Sequence, residues 1–581
     1  MCKRDHAIRF ERAVGLVLAA LLSACSGGGG APALPGAAST PSPALGSGLP
    51  AAPAPPATTG ALDLTVANAY VDQGQQTASG SIPLVAGRDG YLRVFVVADR
   101  PNAVRPTVRV RIFRGGTVIA TQLVNAPTAS VPTAENDAVW SSSWNAFIPG
   151  ATIAPGDSLL VDVDPTNAIP ESNKSNNRFP ADAQPLALNV VSVQPYAVTL
   201  VPIVTPVGSG DVSAANAADY LHDVLGAYPI AGSDVALHAP FTVSYAPHSD
   251  GTNWDTLLND VGTLQAADGH ANDRHYYGVV RLGYQSGVVG IGWQPGMTAL
   301  GPDDAAPVYV SEAAHEEGHN FGLMHAPCGN PPDVDPNWPA DPAHANAMIG
   351  GIGLDVANHQ VHAASEPDFM SYCNGKWTSD FNYRKVLQAL QTTTSAAVAR
   401  RAAAAEPTLF VTGRIENGRA ELDTAFRLTT APTVPTPGPY HLIGLDANGA
   451  TLFDRAFDGT PAAVDGAAPG ERLFGIAVAL DPARAVARLL IHQPDGSTLE
   501  RRRSLAVGPS AMTGAAVRMA GSSARLTWDA TRYPAALVRD ARSGAVLGIL
   551  RGGSGAVAGG GNGLDVQFSD GVDSVYQHVN L

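Results

Sequence analysis

Apolar and polar residues alternate in short runs between Leu62 and about Val190, as in "YLRVFVV", "TVRVRIF" and "DSLLVDVD", and Gly and Pro punctuate the runs. Period-two alternation over a handful of residues is the pattern of strands with one buried face. Residues 62–192 are therefore expected to form an antiparallel β-sandwich. From Tyr196 the pattern changes. "YAVTLVPIV" reads as a strand, "SAANAADYLHDVL" as an amphipathic helix, "DVALHAPFTVSY" as a strand and "NWDTLLNDVGTLQAA" as a second helix. "YYGVVRLG" and "GVVGIGW" follow as strands, and "NYRKVLQALQTTTSAAVARRAAAA" closes the region as a helix. Alternating strands and helices predict an α/β (α+β) layer domain over 193–405. Beyond Pro407, "TLFVTGRI", "YHLIGLD", "RLFGIAVAL" and "ARLLIHQ" predict a further β-sandwich over 406–505. "ARLTWDA" and "AALVRDA" make 506–581 a C-terminal β-rich segment. The expected class is thus multidomain, an α/β domain flanked by all-β sandwiches, and no repeat of fixed period is present.

The first 61 residues do not belong to that pattern. Lys3, Arg4, Arg9 and Arg12 precede the apolar run "AVGLVLAALL", which is too short to span a bilayer. The run ends at "LSAC", which resembles a bacterial lipobox. Residues 1–24 then read as a lipoprotein signal peptide and Cys25 as the lipidated first residue. An ordinary secretory signal with a coincidental cysteine is the alternative, and both imply export. Residues 25–61, rich in Gly, Pro, Ala and Ser and without charge, cannot bury a core and read as a flexible tether. Later segments carry no run of about 18 apolar residues, so membrane attachment is expected through lipid only. The location implied is the cell envelope, at the outer membrane or cell surface, with release to the medium as a variant.

Composition narrows the partners. The formal net charge of −15 argues against nucleic acid or anionic lipid. Of the four cysteines, Cys2 is lost with the leader and Cys25 is the acylation site. Cys328 and Cys373 remain as an even pair in an oxidising compartment, hence an expected disulfide worth on the order of 4 kcal/mol. Paired cysteine zinc ligands are the rival, without a Cys-x-x-Cys spacing to favour them.

The chemistry lies in "SEAAHEEGHNFGLMHAPC", Ser311 to Cys328. Ser311 is expected to cap a helix with Glu312 in its first turn. His315 and His319 then share one face, near enough to hold one metal ion, and Glu316 is placed to reach a water at that ion rather than the ion itself. Gly322 can take the left-handed conformation that ends the helix and brings His325 back as a third ligand. Every fixed position of HExxHxxGxxH is filled, which chance would supply in roughly one of several thousand chains. Glu317 and Asn320 are expected to be solvated, and His344, His359 and His362 to be ordinary surface histidines.

The motif resembles that of the metzincins, zinc endopeptidases that carry it ahead of a Met-turn. "EPDFMSYC" supplies the turn, with Met370 beneath the metal. The resemblance implies one catalytic zinc, Glu316 as general base and acid, and Tyr372 as a fifth ligand that swings to the oxyanion, as in astacins and serralysins. It covers about residues 190–405, and the long insert between His325 and Met370 is more like that of secreted bacterial mucinase-type metzincins. "VDPTNAIPESNKSNN" similarly resembles the closing turn of CARDB-type modules.

The function implied is an exported, lipid-anchored endopeptidase acting on extracellular proteins or glycoproteins. "GVVGIGW" is the expected edge strand for an extended peptide. "PPDVDPNWPADP" is a candidate calcium loop through Asp333, Asp335 and Asp341, with a solvated acidic loop as its rival. The alternative function is a surface adhesion protein with an inactive metzincin-like domain. An intact Glu316 favours the enzyme.

Overall fold

The computed structural model describes residues 61–303, 311–401, 404–464, 471–503, 515–559 and 563–580. The expected leader, Cys25 and all but the last residue of the expected tether lie outside them. No helix among the described residues is long and apolar enough to cross a membrane.

The N-terminal alternation folds as a sandwich. A three-stranded sheet of Leu64–Asp72, Gly90–Ala98 and Trp144–Ile148 is joined by a five-stranded sheet built on Val108–Arg114 and Asp157–Val163. Along Val108–Arg114 the residues Val108, Val110 and Ile112 turn inward, next to Trp144, Leu159 and Val161. The Asn-rich turn is a staple rather than a plain polar loop. Glu171 accepts from Leu64 N at 3.1 Å and from Asn177 Nδ2 at 2.9 Å, and Asp164 accepts from Ala168 N and Ile169 N.

The expected α/β layer domain between separate sandwiches is not what forms. Among the described residues are 34 strands and four α-helices: α1 (Ala217–Ala227), α2 (Trp254–Ala267), α3 (Glu312–Asn320) and α4 (Asp380–Arg401). The chain is mostly β, and the strands of the middle region belong to a 14-stranded sheet shared with the C-terminal part of the chain. Tyr196–Val204, His275–Val280 and Thr298–Pro302 run parallel at its centre. On one side, the antiparallel strand Ile291–Trp293 passes the sheet to Thr460–Val464 and on to Arg472–Ala479, Glu406–Glu416 and Arg419–Thr430. On the other, Phe241–Val243 pairs with Val546–Arg551, which leads to Ala535–Asp540, Leu564–Ser569 and Ser574–Val579. The two ends approach each other: Ser569 Oγ donates to Ala425 O at 2.8 Å and Gln567 Nε2 to Arg427 O at 3.0 Å. The sheet is thus nearly closed on itself.

Helix α2 explains the curl. Every residue from Leu257 to Ala266 is buried, so the helix is covered on all sides, by Phe410, Phe426 and Leu473 and also by Leu537 and Ile549. Its Asp260 lies 2.5 Å from Arg551, which also pairs with Asp423 at 2.7 Å. A buried carboxylate without a cation is strongly destabilising, so this pair ties the last strands to the helix. Helices α1, α3 and α4 pack on the opposite face of the parallel strands, through Leu221, Val224, Ala314 and Val386 against Val198, Leu200 and Val279.

The sandwich is joined to the site region by its loop. Gln75–Gln76 pairs with Ile352–Gly353, and Trp377 Nε1 donates to Gly74 O at 2.6 Å. Arg88 donates to the carbonyls of Leu225, Gly226 and Ile230, at the C-terminal end of α1, where a cation is favoured.

Candidate metal centre

Helix α3 begins after Ser311, but Ser311 makes no side-chain cap; its hydroxyl lies 3.2 Å from Asp223 Oδ2. Glu312 occupies the first turn and Gly322, at φ +89°, ends the helix in the left-handed region. Gly322 N donates to His319 O at 2.7 Å and Leu323 N to Gly318 O at 3.0 Å, which turns the chain back to His325. The three histidines are buried, and their ligand nitrogens lie within 4.8 Å of one another.

Each imidazole is oriented by a carbonyl. His315 Nδ1 sits 2.8 Å from Phe369 O, His319 Nδ1 2.9 Å from Leu323 O, and His325 Nδ1 2.6 Å from Pro332 O. A carbonyl only accepts, so Nδ1 carries the proton and the Nε2 lone pairs are left to coordinate. His315 Nε2 and His319 Nε2 approach to 3.1 Å. Three imidazoles in this tautomer, facing one point, can hold one metal ion. Three protein ligands leave a coordination position open, unlike a closed structural site, which takes four.

Glu316 is fully buried beside the triad, against Gly290 and the strand Ile291–Trp293 that follows it. A Cβ on Gly290 would stand 2.1 Å from Glu316 Oε1, so the carboxylate lies directly on the Gly290 backbone. Met370 packs under the helix at Gly318, where a Cβ would meet Met370 Sδ at 2.6 Å and Tyr228 Oη at 2.7 Å. Tyr372 is half-buried, its ring centroid 5.1 Å from that of His325 and 6.3 Å from that of His315. The Cys328–Cys373 disulfide is formed, with a Cα–Cα distance of 5.6 Å. Tyr372 N donates to Cys328 O at 2.9 Å, so the bridge and the backbone both tie the tyrosine to the segment after His325.

Several expectations fail here. Glu317 and Asn320 are buried, not solvated. Glu317 Oε2 lies 2.7 Å from His275 Nδ1, and burial, then the Glu317 carboxylate, push the Tyr196 phenol well above its usual range. His344 is buried between Asp341 and Asp380, and His362 stacks on Trp377 at 4.2 Å; of the three loop histidines, His359 is exposed. The calcium loop does not converge either. Asp335 pairs with Lys385, Asp341 caps the turn at Ala343 and pairs with His344, and the His triad is the metal-competent group among the described residues. Finally, Ile291–Trp293 is not a free edge, because Thr298–Pro302 and Thr460–Val464 cover both of its sides.

Asp368 was missed by the sequence reading. It is fully buried and accepts from Met370 N at 2.7 Å, Ser379 N at 2.6 Å and Asn382 Nδ2 at 3.0 Å. The turn it holds presents Phe369 O to His315 and Met370 O to Ala326 N, next to His325. An acidic residue bonding the backbone two residues on is an Asx-turn, the one signal the sequence offered. Asp368→Ala should weaken metal binding by roughly ten- to a hundredfold, as loss of a ligand's support commonly does. Competition with a chromophoric chelator measures this; an unchanged metal Kd would show that the turn holds without Asp368.

A cavity of about 460 Å³ opens beside His315 and Tyr372, walled by His222, Asp355, Phe369 and Trp377. Hydrogen bonds from His222 to Asp223 and to Asp355 raise its imidazole to about 10, and Asp355 in turn falls to about 2. His222 is therefore a cation at neutral pH. Its raised value makes the contact stabilising below its ordinary pKa near 6.5, and that stability is lost as pH rises through about 10. Histidine NMR should find His222 protonated throughout pH 6–8; a midpoint near 6.5 would contradict the assignment.

No family model and no curated protein matches the chain. Among solved structures, the CARDB domain of the PF1109 protein from Pyrococcus furiosus, solved with di-metal ions, is 16% identical, covers 23% of this chain and 99% of its own, and has a TM-score of 0.15. At that score it assigns nothing to this chain. A β-glucuronidase from Parabacteroides merdae (8% identity, 89% of this chain and 78% of that one, TM-score 0.15) and a β-glycosidase from Bacteroides vulgatus (8%, 88% and 80%, 0.14) are similarly remote.

Proposed function

We propose that the chain is an exported, lipid-anchored zinc endopeptidase, related to the metzincins through its site motifs, that hydrolyses peptide bonds of extracellular proteins or glycoproteins. The observation that carries the reading is the set of three carbonyl-oriented imidazoles beside the buried Glu316. A zinc ion held there supplies Lewis acidity and lowers the pKa of water towards neutrality. Glu316 takes the proton of the attacking water and passes it to the leaving amine. The Tyr372 ring packs against His325, and its hydroxyl would donate to the developing oxyanion. His315, His319 and His325 hold the ion, and the segment around Met370 fixes the first and third of them. Anchoring at Cys25 would keep the enzyme at the envelope, where its substrates are.

The reading is tested by incubating the purified protein with a proteome-derived peptide library. New peptide termini should appear, and a chelator should suppress them. Cleavage that persists unchanged in chelator, or none at one zinc per chain, would contradict it.

A further inference from the structure

We propose that the folded chain holds itself latent: its own strand Thr460–Val464 covers the edge on which an extended substrate would add, next to Glu316. The inference rests on the peptidase reading and adds regulation to it.

The strand Ile291–Trp293 has two sides. One is taken by Thr298–Pro302, through Ile291↔Leu300 and Gly292↔Ala299. The other faces Thr460–Val464, through Ile291↔Val464, Gly292↔Ala463 and Trp293↔Ala462, extended by Gln294 N donating to Pro461 O at 2.9 Å. The Glu316 carboxylate lies on Gly290, one residue before this ladder. A peptide added to the outer side would pass Glu316 within about one strand spacing, roughly 4.8 Å. The self-strand occupies that side. Its described ladder ends at Val464, opposite Ile291 and one residue short of Gly290, so it blocks the approach without laying a described peptide bond across Glu316.

The cover is also lightly held on its far side. On its far side Thr460–Val464 has two pairs, Thr460↔Leu473 and Pro461↔Arg472, whereas Arg472–Ala479 has eight with Glu406–Glu416. Pro461 lacks an N–H and is exposed, and Ala462 and Ala463 are half-buried, with little side chain to anchor them. Elements with few buried contacts open locally far below the cost of global unfolding. Thr460–Val464 is itself extended, as a peptide competing for that edge must be. Opening or cutting the strand frees the edge.

Ala463→Pro should disrupt the central pair. On fluorescein-labelled casein its kcat/KM should rise by about tenfold, the factor for an edge free one-tenth of the time, with zinc content unchanged. A value within twofold of the parent, at equal zinc content and Tm, would overturn the inference and leave the peptidase reading standing. No cleavage by either zinc-loaded chain would instead remove that reading, and the inference with it. If Ala463→Pro fails to fold, hydrogen exchange on the Glu316→Ala chain decides. Saturating casein should deprotect the amides of Thr460 and of 462–464 and leave those of 275–280 protected. Casein bound with Thr460 and 462–464 still protected would overturn the inference.

Discussion

Glu316→Ala should abolish peptide hydrolysis while the chain keeps its metal. The three ligand imidazoles are oriented by Phe369 O, Leu323 O and Pro332 O, none of which involves the Glu316 side chain. Metal affinity should therefore change little. What is lost is the carboxylate that the fold places on Gly290 beside the triad. Loss of a general base costs roughly a hundred- to ten-thousandfold. A group that also delivers the proton to the leaving amine should sit at the upper end. The change should fall on kcat rather than KM, because proton transfer occurs in the transition state. Near-normal turnover by a zinc-loaded Glu316→Ala chain would remove Glu316 from the chemistry.

Tyr372→Phe should have the second-largest effect, and a smaller one. Its ring packs edge-on against His325, and its backbone is fixed by Cys328 O and the neighbouring disulfide. Phenylalanine keeps all of those contacts and removes only the hydroxyl. Loss of one oxyanion donor costs roughly a hundred- to a thousandfold in kcat. KM and metal content should stay near the parent values. Steady-state kinetics on one peptide substrate measures both. A silent Tyr372→Phe alongside a dead Glu316→Ala would confine the tyrosine to a packing role.

The site was legible because its logic is local. His315, His319, Gly322 and His325 lie within eleven residues, and helix geometry with one left-handed glycine suffices to bring them together. Met370 came only from the metzincin resemblance, and the disulfide from cysteine arithmetic. Asp368 could be seen only as a turn residue, because its role depends on Ser379 and Asn382 closing over it. Glu317 was misread for a similar reason. A charged residue beside Glu316 reads as solvated until His275, on a strand forty residues earlier in the chain, covers it.

The fold was legible element by element and misread as a whole. The middle strands and helices lie close to their expected positions, but periodicity carries no information about which strand pairs with which. The pairings that make one nearly closed sheet, Thr242↔Gly548 and Gly292↔Ala463, join residues far apart in sequence. Helix α2 shows the same limit. "NWDTLLNDVGTLQAA" has the polar positions of a helix with one wet face, yet Asn259 donates to Gly413 O and Asp260 meets Arg551. Its polar side is buried by partners that the local pattern cannot name.

Zinc titration of the metal-stripped protein tests the proposed chemistry most directly. Peptidase activity should be absent from the stripped chain, rise linearly with added zinc and break at one ion per chain. Full activity in the stripped chain, or one zinc bound per chain with no hydrolysis of any library peptide, would contradict it.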